Sequence, residues 1–261
     1  MSTSGQAPRG HSDANARAYL FQYRSTLSYR MMYLGVWDTV GALGVPNALP
    51  LLRFLNKKYR FHDTNASTLI SSIRHAVAIE ERRRDFDVTP ISNVLELNQR
   101  WATAKGWDVS DPANPKFVPY HLRPYQQLWF PGNHGAVGGG HPATGLSNAA
   151  LYWIAEGAHD AGLVFWNDSL SELWRAAQEV NPMAEWRLKD DGSEQKPNYR
   201  SLMERIGGSI NRSGPGRPDE VSLPAKIRWS CDDTWRPKPL GVLRGTDCSN
   251  VSLPAAPART S

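Results

Sequence analysis

Two short apolar runs, each cut off at once by turn-forming residues, constrain this chain most. Residues 31–37 read MMYLGVW and stop at Asp38-Thr39; residues 127–130 read QLWF and stop at Pro131-Gly132. Runs this short, rich in residues that fit a pleated surface and ended by turn signals, predict strands. A strand with no polar alternation is buried on both faces, the condition of a parallel sheet covered by helices.

The segments between and after these runs read as helices and loops. In residues 61–86, Leu69, Ile70, Ile73, Ala76 and Val77 recur at helical spacing behind Asp63, Thr64 and Asn65, which predicts an amphipathic helix with a charged exit. A weaker helical pattern covers residues 92–105, and another helical segment is expected over 18–29. Ser147 is expected to cap a helix with Leu151, Ile154, Ala155 and Ala158 on one face, and residues 168–180 form a further helical pattern. Pro112, Pro115, Pro119 and Pro124 make residues 108–124 a loop, and residues 209–220, SINRSGPGRPDE, read as a linker or loop. The divisions expected are a disordered lead-in (1–16), one domain (17–243) and a disordered tail (244–261). Strand-loop-helix units predict an α/β layered domain with a mostly parallel sheet flanked by helices. Ligand groups in such folds gather at the carboxyl ends of the strands.

Asp38 and His134 each lie just past the end of a predicted strand. An acid followed by a histidine is the order of the last two members of a Ser, Asp, His triad on an α/β sheet. The carboxylate would hold the imidazole in one tautomer, and the imidazole would move the proton of a serine hydroxyl. Each residue also has a plainer reading: Asp38 as a turn or cap residue, His134 as a polar residue in the glycine loop WFPGNHGAVGGGH (129–141). A metal held by His134 and His141 is a third reading, but six residues of glycine loop separate them and no carboxylate is close in sequence. No metal and no cofactor is expected.

Composition narrows the partners. Thirty basic against 25 acidic residues leave a net charge of +5, spread along the chain, so nucleic acid is not implied. The surplus and the ten tryptophans are compatible with a lipid surface, although tryptophan in a globular chain is mostly a packing residue. Cys231 and Cys248 alone build neither a disulfide framework nor a metal cluster. No run reaches the length of a membrane span, and the first residues lack the apolar segment of a secretory signal, so synthesis in the cytoplasm is expected.

Several of these segments resemble one family, the DUF2235 α/β-hydrolase domain, which is also the catalytic domain of the Tle1-like phospholipase effectors of type VI secretion. The similar stretches are GVWDTVGALG (35–44), HAVAIEERRRDF (75–86, a helix in that reading), WFPGNHGAVGGG (129–140), LSNAALYWI (146–154) and WRPKPL (235–240). The resemblance implies a partial α/β-hydrolase-like fold, His134 as catalytic histidine, Asp38 as triad acid, an acyl-serine intermediate and no cofactor. It also implies a lipid or other ester substrate, contact with a membrane surface, type VI secretion components or an immunity protein as partners, and export by that route.

The departures bear on the serine. No G-F-S-R-G-A elbow is present. Ser12, in GHSDANAR, has a G-x-S-x-A frame, but no apolar strand precedes it and only 25 residues separate it from Asp38. The expectation is a truncated or late-started reading frame whose nucleophile lies upstream. The alternative is a catalytically inactive relative that binds lipid or a protein partner. Ala136 stands where the family has Asp and is expected to loosen the histidine loop; Glu80 stands where it has Asp and keeps the charge.

Overall fold

The computed structural model describes residues 31–40, 64–109, 118–140, 144–165, 179–184 and 210–252. Strands β1 (Leu34–Trp37), β2 (Ile73–Ala78) and β3 (Tyr125–Phe130) form a parallel sheet in the order β1-β2-β3. Leu34 pairs with Ile73 and Ile73 with Tyr125, so all three strands end on the same side. The helices are α1 (Val94–Ala104), α2 (His134–Gly138), α3 (Gly145–Asp160) and α4 (Leu223–Cys231).

Alternation along the strands makes the two faces. Ala76, Ala78, Leu128 and Phe130 pack on Val137 of α2 and on Ala149, Ala150 and Ile154 of α3. Val77, Ile79 and Trp129 point the other way, onto Val221, Ala225, Trp235, Leu240 and Leu243. At the strands' amino ends, Ile73 and Tyr125 meet Leu97 of α1 on that second face. Each large side chain buried there contributes about 1.5–3 kcal/mol. β1 lies close against α3: a Cβ on Gly35 would fall 2.5 Å from Cγ2 of Ile154, and the Tyr33 hydroxyl donates to the Ile154 carbonyl at 2.7 Å.

The predicted helix over residues 61–86 is corrected: residues 73–78 are the central strand β2, buried at all six positions. Buried on both faces, a central strand carries no polar alternation, and its apolar run then matches helical spacing by chance. Its Ile and Val content is what favours the strand. A second correction concerns Ser147. The N-cap of α3 is Thr144, and the Ser147 hydroxyl lies in the first turn, donating to the Thr144 carbonyl at 3.0 Å. Residues 244–252, read from sequence as the start of a tail, carry Cys248, buried in the cluster of α4 and Trp235. The expected helix over 18–29, the lead-in 1–16 and nearly all of the helical pattern 168–180 lie outside the described residues.

Candidate active site

β1 ends where its ladder makes one last bond, from Asp38 N–H to the Ala76 carbonyl at 2.7 Å. Asp38 then turns with φ 39°, the only left-handed non-glycine among the described residues. Such backbone costs on the order of 1–3 kcal/mol, least for Asp and Asn. The turn aims the carboxylate inward: Asp38 is fully buried and its Oδ1 accepts from Ala78 N–H at 2.8 Å. The next residue is anchored as well. Thr39 N–H donates to His75 Nε2 at 3.2 Å, and His75 Nδ1–H donates to Gln127 Oε1 at 2.9 Å. That network assigns His75 as neutral, and its complete burial pushes its pKa down.

His134 opens α2, directly after β3. Asn133 caps this helix through its Oδ1, which accepts from Ala136 N–H at 2.9 Å. Ala136 is buried, so the loop is held by its cap without the carboxylate expected at that position. Two acids of the segment after β2 bracket the loop. Glu80 exchanges bonds with Gly132, its N–H donating to the carbonyl and its Oε2 accepting the N–H, both at 2.9 Å. Glu81, buried, accepts from the N–H groups of Arg82, Arg83 and His134 and takes the Arg83 guanidinium through both oxygens, at 2.8 and 2.7 Å. Burial raises the Glu81 pKa, but the bonds to Arg83 and those N–H groups outweigh it and hold the carboxyl below the usual range. The Phe86 ring meets the His134 ring edge-on at 5.1 Å, with the Arg83 guanidinium 3.7 Å above Phe86.

Asp38 and His134 come together: Nδ1 of His134 lies 2.8 Å from Asp38 Oδ2. Arg212 joins them from a distant part of the chain. Its Nη1 donates to Asp38 Oδ1 at 2.5 Å and its Nη2 to Oδ2 at 2.9 Å. The same nitrogens donate to the carbonyls of Ala78 and Phe86. Burial raises the pKa of Asp38, but the bonds from His134 and Arg212, the Arg212 charge and the Ala78 N–H reverse that and hold it below the usual carboxylate range. An ionised Asp38 takes the Nδ1–H of His134, which places the ring's lone pair on Nε2. The His134 side chain is 33% exposed, and among the described residues no hydrogen bond occupies Nε2.

Ser12 and His141 lie outside the described residues. Among the described residues no group of three or more His, Cys, Asp and Glu is placed to hold a metal ion, and no helix is long and apolar enough to cross a membrane. Sequence reasoning missed Arg212, which it placed in a linker or loop, and it read Glu80, Glu81 and Arg83 as the charged exit of a helix. The signal available was a carboxylate and arginine run at residues 80–84, but without the strand assignment it had no reason to touch the glycine loop at 129–141.

The family model of the type VI secretion phospholipase effector Tle1-like catalytic domain matches residues 3–157, more than half of the chain. The match takes in Ser12, Asp38, residues 80–83 and His134, and ends before Arg212 and the WRPKPL stretch. No curated protein and no solved structure matches the chain. With a parallel sheet whose strand ends bring an aspartate and a histidine into contact, and a match across those residues, the chain belongs to the Tle1-like phospholipase effector catalytic-domain family.

Proposed function

We propose that this chain hydrolyses a carboxylic ester of a phospholipid, with His134 as general base and Asp38 as the acid that orients it. One observation carries the reading: a fully buried, ionised Asp38 bonds Nδ1 of His134 at 2.8 Å while the ring stays partly open to solvent. In the reaction, Nε2 takes the proton of a serine hydroxyl as its oxygen bonds the acyl carbon. The imidazolium then gives that proton to the leaving oxygen as the ester C–O bond breaks, and water repeats the sequence to release the fatty acid. Asp38 stays ionised throughout, as its four hydrogen-bond donors favour. Within this chain the nucleophile to test is Ser12, because the family match covers residues 3–157 and includes its G-x-S-x-A frame; the competing source is the upstream serine that a truncated reading frame implies.

A second reading, a relative that binds lipid or a protein partner without turnover, is supported by the missing apolar run before Ser12 and by Ala136 in place of an acid. Incubating the purified chain with phosphatidylcholine and phosphatidylethanolamine vesicles and measuring fatty acid separates the two. Release abolished by His134→Ala and by Ser12→Ala is the expected result. Release that survives His134→Ala refutes the first reading. A parent chain that sediments with vesicles and releases nothing favours the second, and release that survives Ser12→Ala alone assigns the nucleophile to another hydroxyl.

A further inference from the structure

Arg212 is an expensive residue to bury for packing alone. Its side chain has no exposure, and its Nε makes no hydrogen bond among the described residues. A well-packed apolar side chain in such a place is often as stable or more so. All four bonds of its two terminal nitrogens go to groups that shape the site: both oxygens of Asp38, the carbonyl of Ala78, whose own N–H holds Asp38, and the carbonyl of Phe86, whose ring packs on His134. The irregular segment bearing it is itself pinned, with Ile210 N–H donating to the Arg82 carbonyl at 2.8 Å. Just after it, Gly214 at φ 82° passes so close to Pro239 that a Cβ would lie 2.2 Å from its carbonyl oxygen.

From this geometry we infer that Arg212 is a positioning residue for the hydrolysis proposed above, on which the inference rests. Its two-pronged grip on the Asp38 carboxylate keeps Oδ2 aligned with Nδ1 of His134, and it ties the segment beyond residue 157 to the base. The fork geometry matters as well as the charge: a planar guanidinium engages both carboxylate oxygens, whereas an ammonium is a point charge. Other charged or titratable groups facing the pair are His75 from β2, neutral and buried, and Glu81 with Arg83 from the segment after β2. None of them replaces the second bond on Oδ2.

The test uses the full chain and two variants. In Arg212→Met, the His134 ring titration followed by NMR should move up by about 1 unit or more, because a cation close to the imidazolium is gone and the carboxylate charge is no longer shared. In Arg212→Lys, the charge remains, so the titration should stay near the parent value. The Nδ1–H proton of His134 should nevertheless exchange with solvent at least about tenfold faster, and kcat should fall about tenfold or more with KM unchanged, since orientation and not binding is lost. A folded Arg212→Met chain whose His134 titrates as in the parent overturns the inference. So does an Arg212→Lys chain with parental Nδ1–H exchange, the measurement that decides if the Met variant does not fold. Both NMR readouts are independent of turnover: a parent chain without esterase activity whose His134 responds to Arg212 as described refutes the proposed function and leaves the coupling in place.

Discussion

Replacing Asp38 by asparagine keeps the side chain's shape and removes its charge and half of its acceptor capacity. The carboxylate accepts four hydrogen bonds: Ala78 N–H and Arg212 Nη1 at Oδ1, His134 Nδ1–H and Arg212 Nη2 at Oδ2. The single oxygen of an amide can serve one of those two pairs, so its NH2 group must face the other pair of donors. If NH2 takes the Oδ2 place, His134 can bond it only by moving its proton to Nε2, and the lone pair that the proposed general base needs is gone. If it takes the Oδ1 place, it faces Ala78 N–H and Arg212 Nη1. Either way, Arg212 is left buried without a counter-charge, at about 3–5 kcal/mol. For a chain of this size that corresponds to a melting temperature lower by about 6–20 °C. Turnover should fall by about 10⁴-fold, the scale seen when a triad acid is made an amide. Thermal melts, fatty-acid release and ¹⁵N shifts of His134, which report the tautomer, read the three consequences separately. An Asp38→Asn chain that melts within about 2 °C of the parent and keeps the Nδ1–H tautomer would refute the reasoning, because the first outcome lies well below that range.

Three further outcomes follow from individual contacts. Glu81→Gln leaves the Arg83 guanidinium and the N–H groups at residues 82, 83 and 134 with one good acceptor oxygen instead of two, so the chain should lose about 2–4 kcal/mol in chemical denaturation and turnover should drop as the histidine loop loosens. Gly35→Ala places a methyl 2.5 Å from Cγ2 of Ile154, a branched side chain that is stiff in a helix, and should cost about 1–3 kcal/mol by pushing β1 from α3. Stability should depend on pH through two kinds of group. Asp38 and Glu81 have depressed pKa values, so their contribution is complete above the unfolded carboxyl range of about 4 and is lost as pH falls through the folded values. His75 is a base with a depressed folded pKa, so the unfolded chain binds its proton first and stability drops as pH falls below about 6.5. Melts at pH 7.5 and 5 should therefore converge in His75→Gln relative to the parent; an unchanged difference would show that His75 is not the group responsible.

Different parts of the molecule were legible in the sequence to different degrees. β1 and β3 were readable because each apolar run ends abruptly in turn residues, Asp38-Thr39 and Pro131-Gly132, and a strand's end is a local event. α1 and α3 were readable because each covers one face of the sheet and so keeps its periodicity, although the first turn of α3 was mistaken: Ser147 bonds the Thr144 carbonyl from inside the helix. β2 was not legible as a strand. Covered on both faces by α3 and by the α4 segment, it carries no alternation, and Ile73, Ala76 and Val77 satisfy a helical template equally well. That one error hid the brackets made by Glu80 and Glu81, since residues on the charged exit of a helix have no cause to meet the loop after β3.

By itself, the order of residues determined that Asp38 and His134 would each follow a strand, because local apolar runs and turn chemistry act over a few residues. Only the tertiary structure decided that the two meet, that the carboxylate is sealed from water, and that a third residue, the Arg212 cation, holds it. Parallel pairing of β1, β2 and β3 brings their carboxyl ends to one side, which closes a gap of 96 positions between Asp38 and His134. Arg212 arrives from 174 positions beyond Asp38, out of a stretch rich in glycine and proline whose local signals specify only a turn. A contact at that separation leaves no periodic trace in the chain, and its partner is chosen by the buried charge waiting at the end of β1.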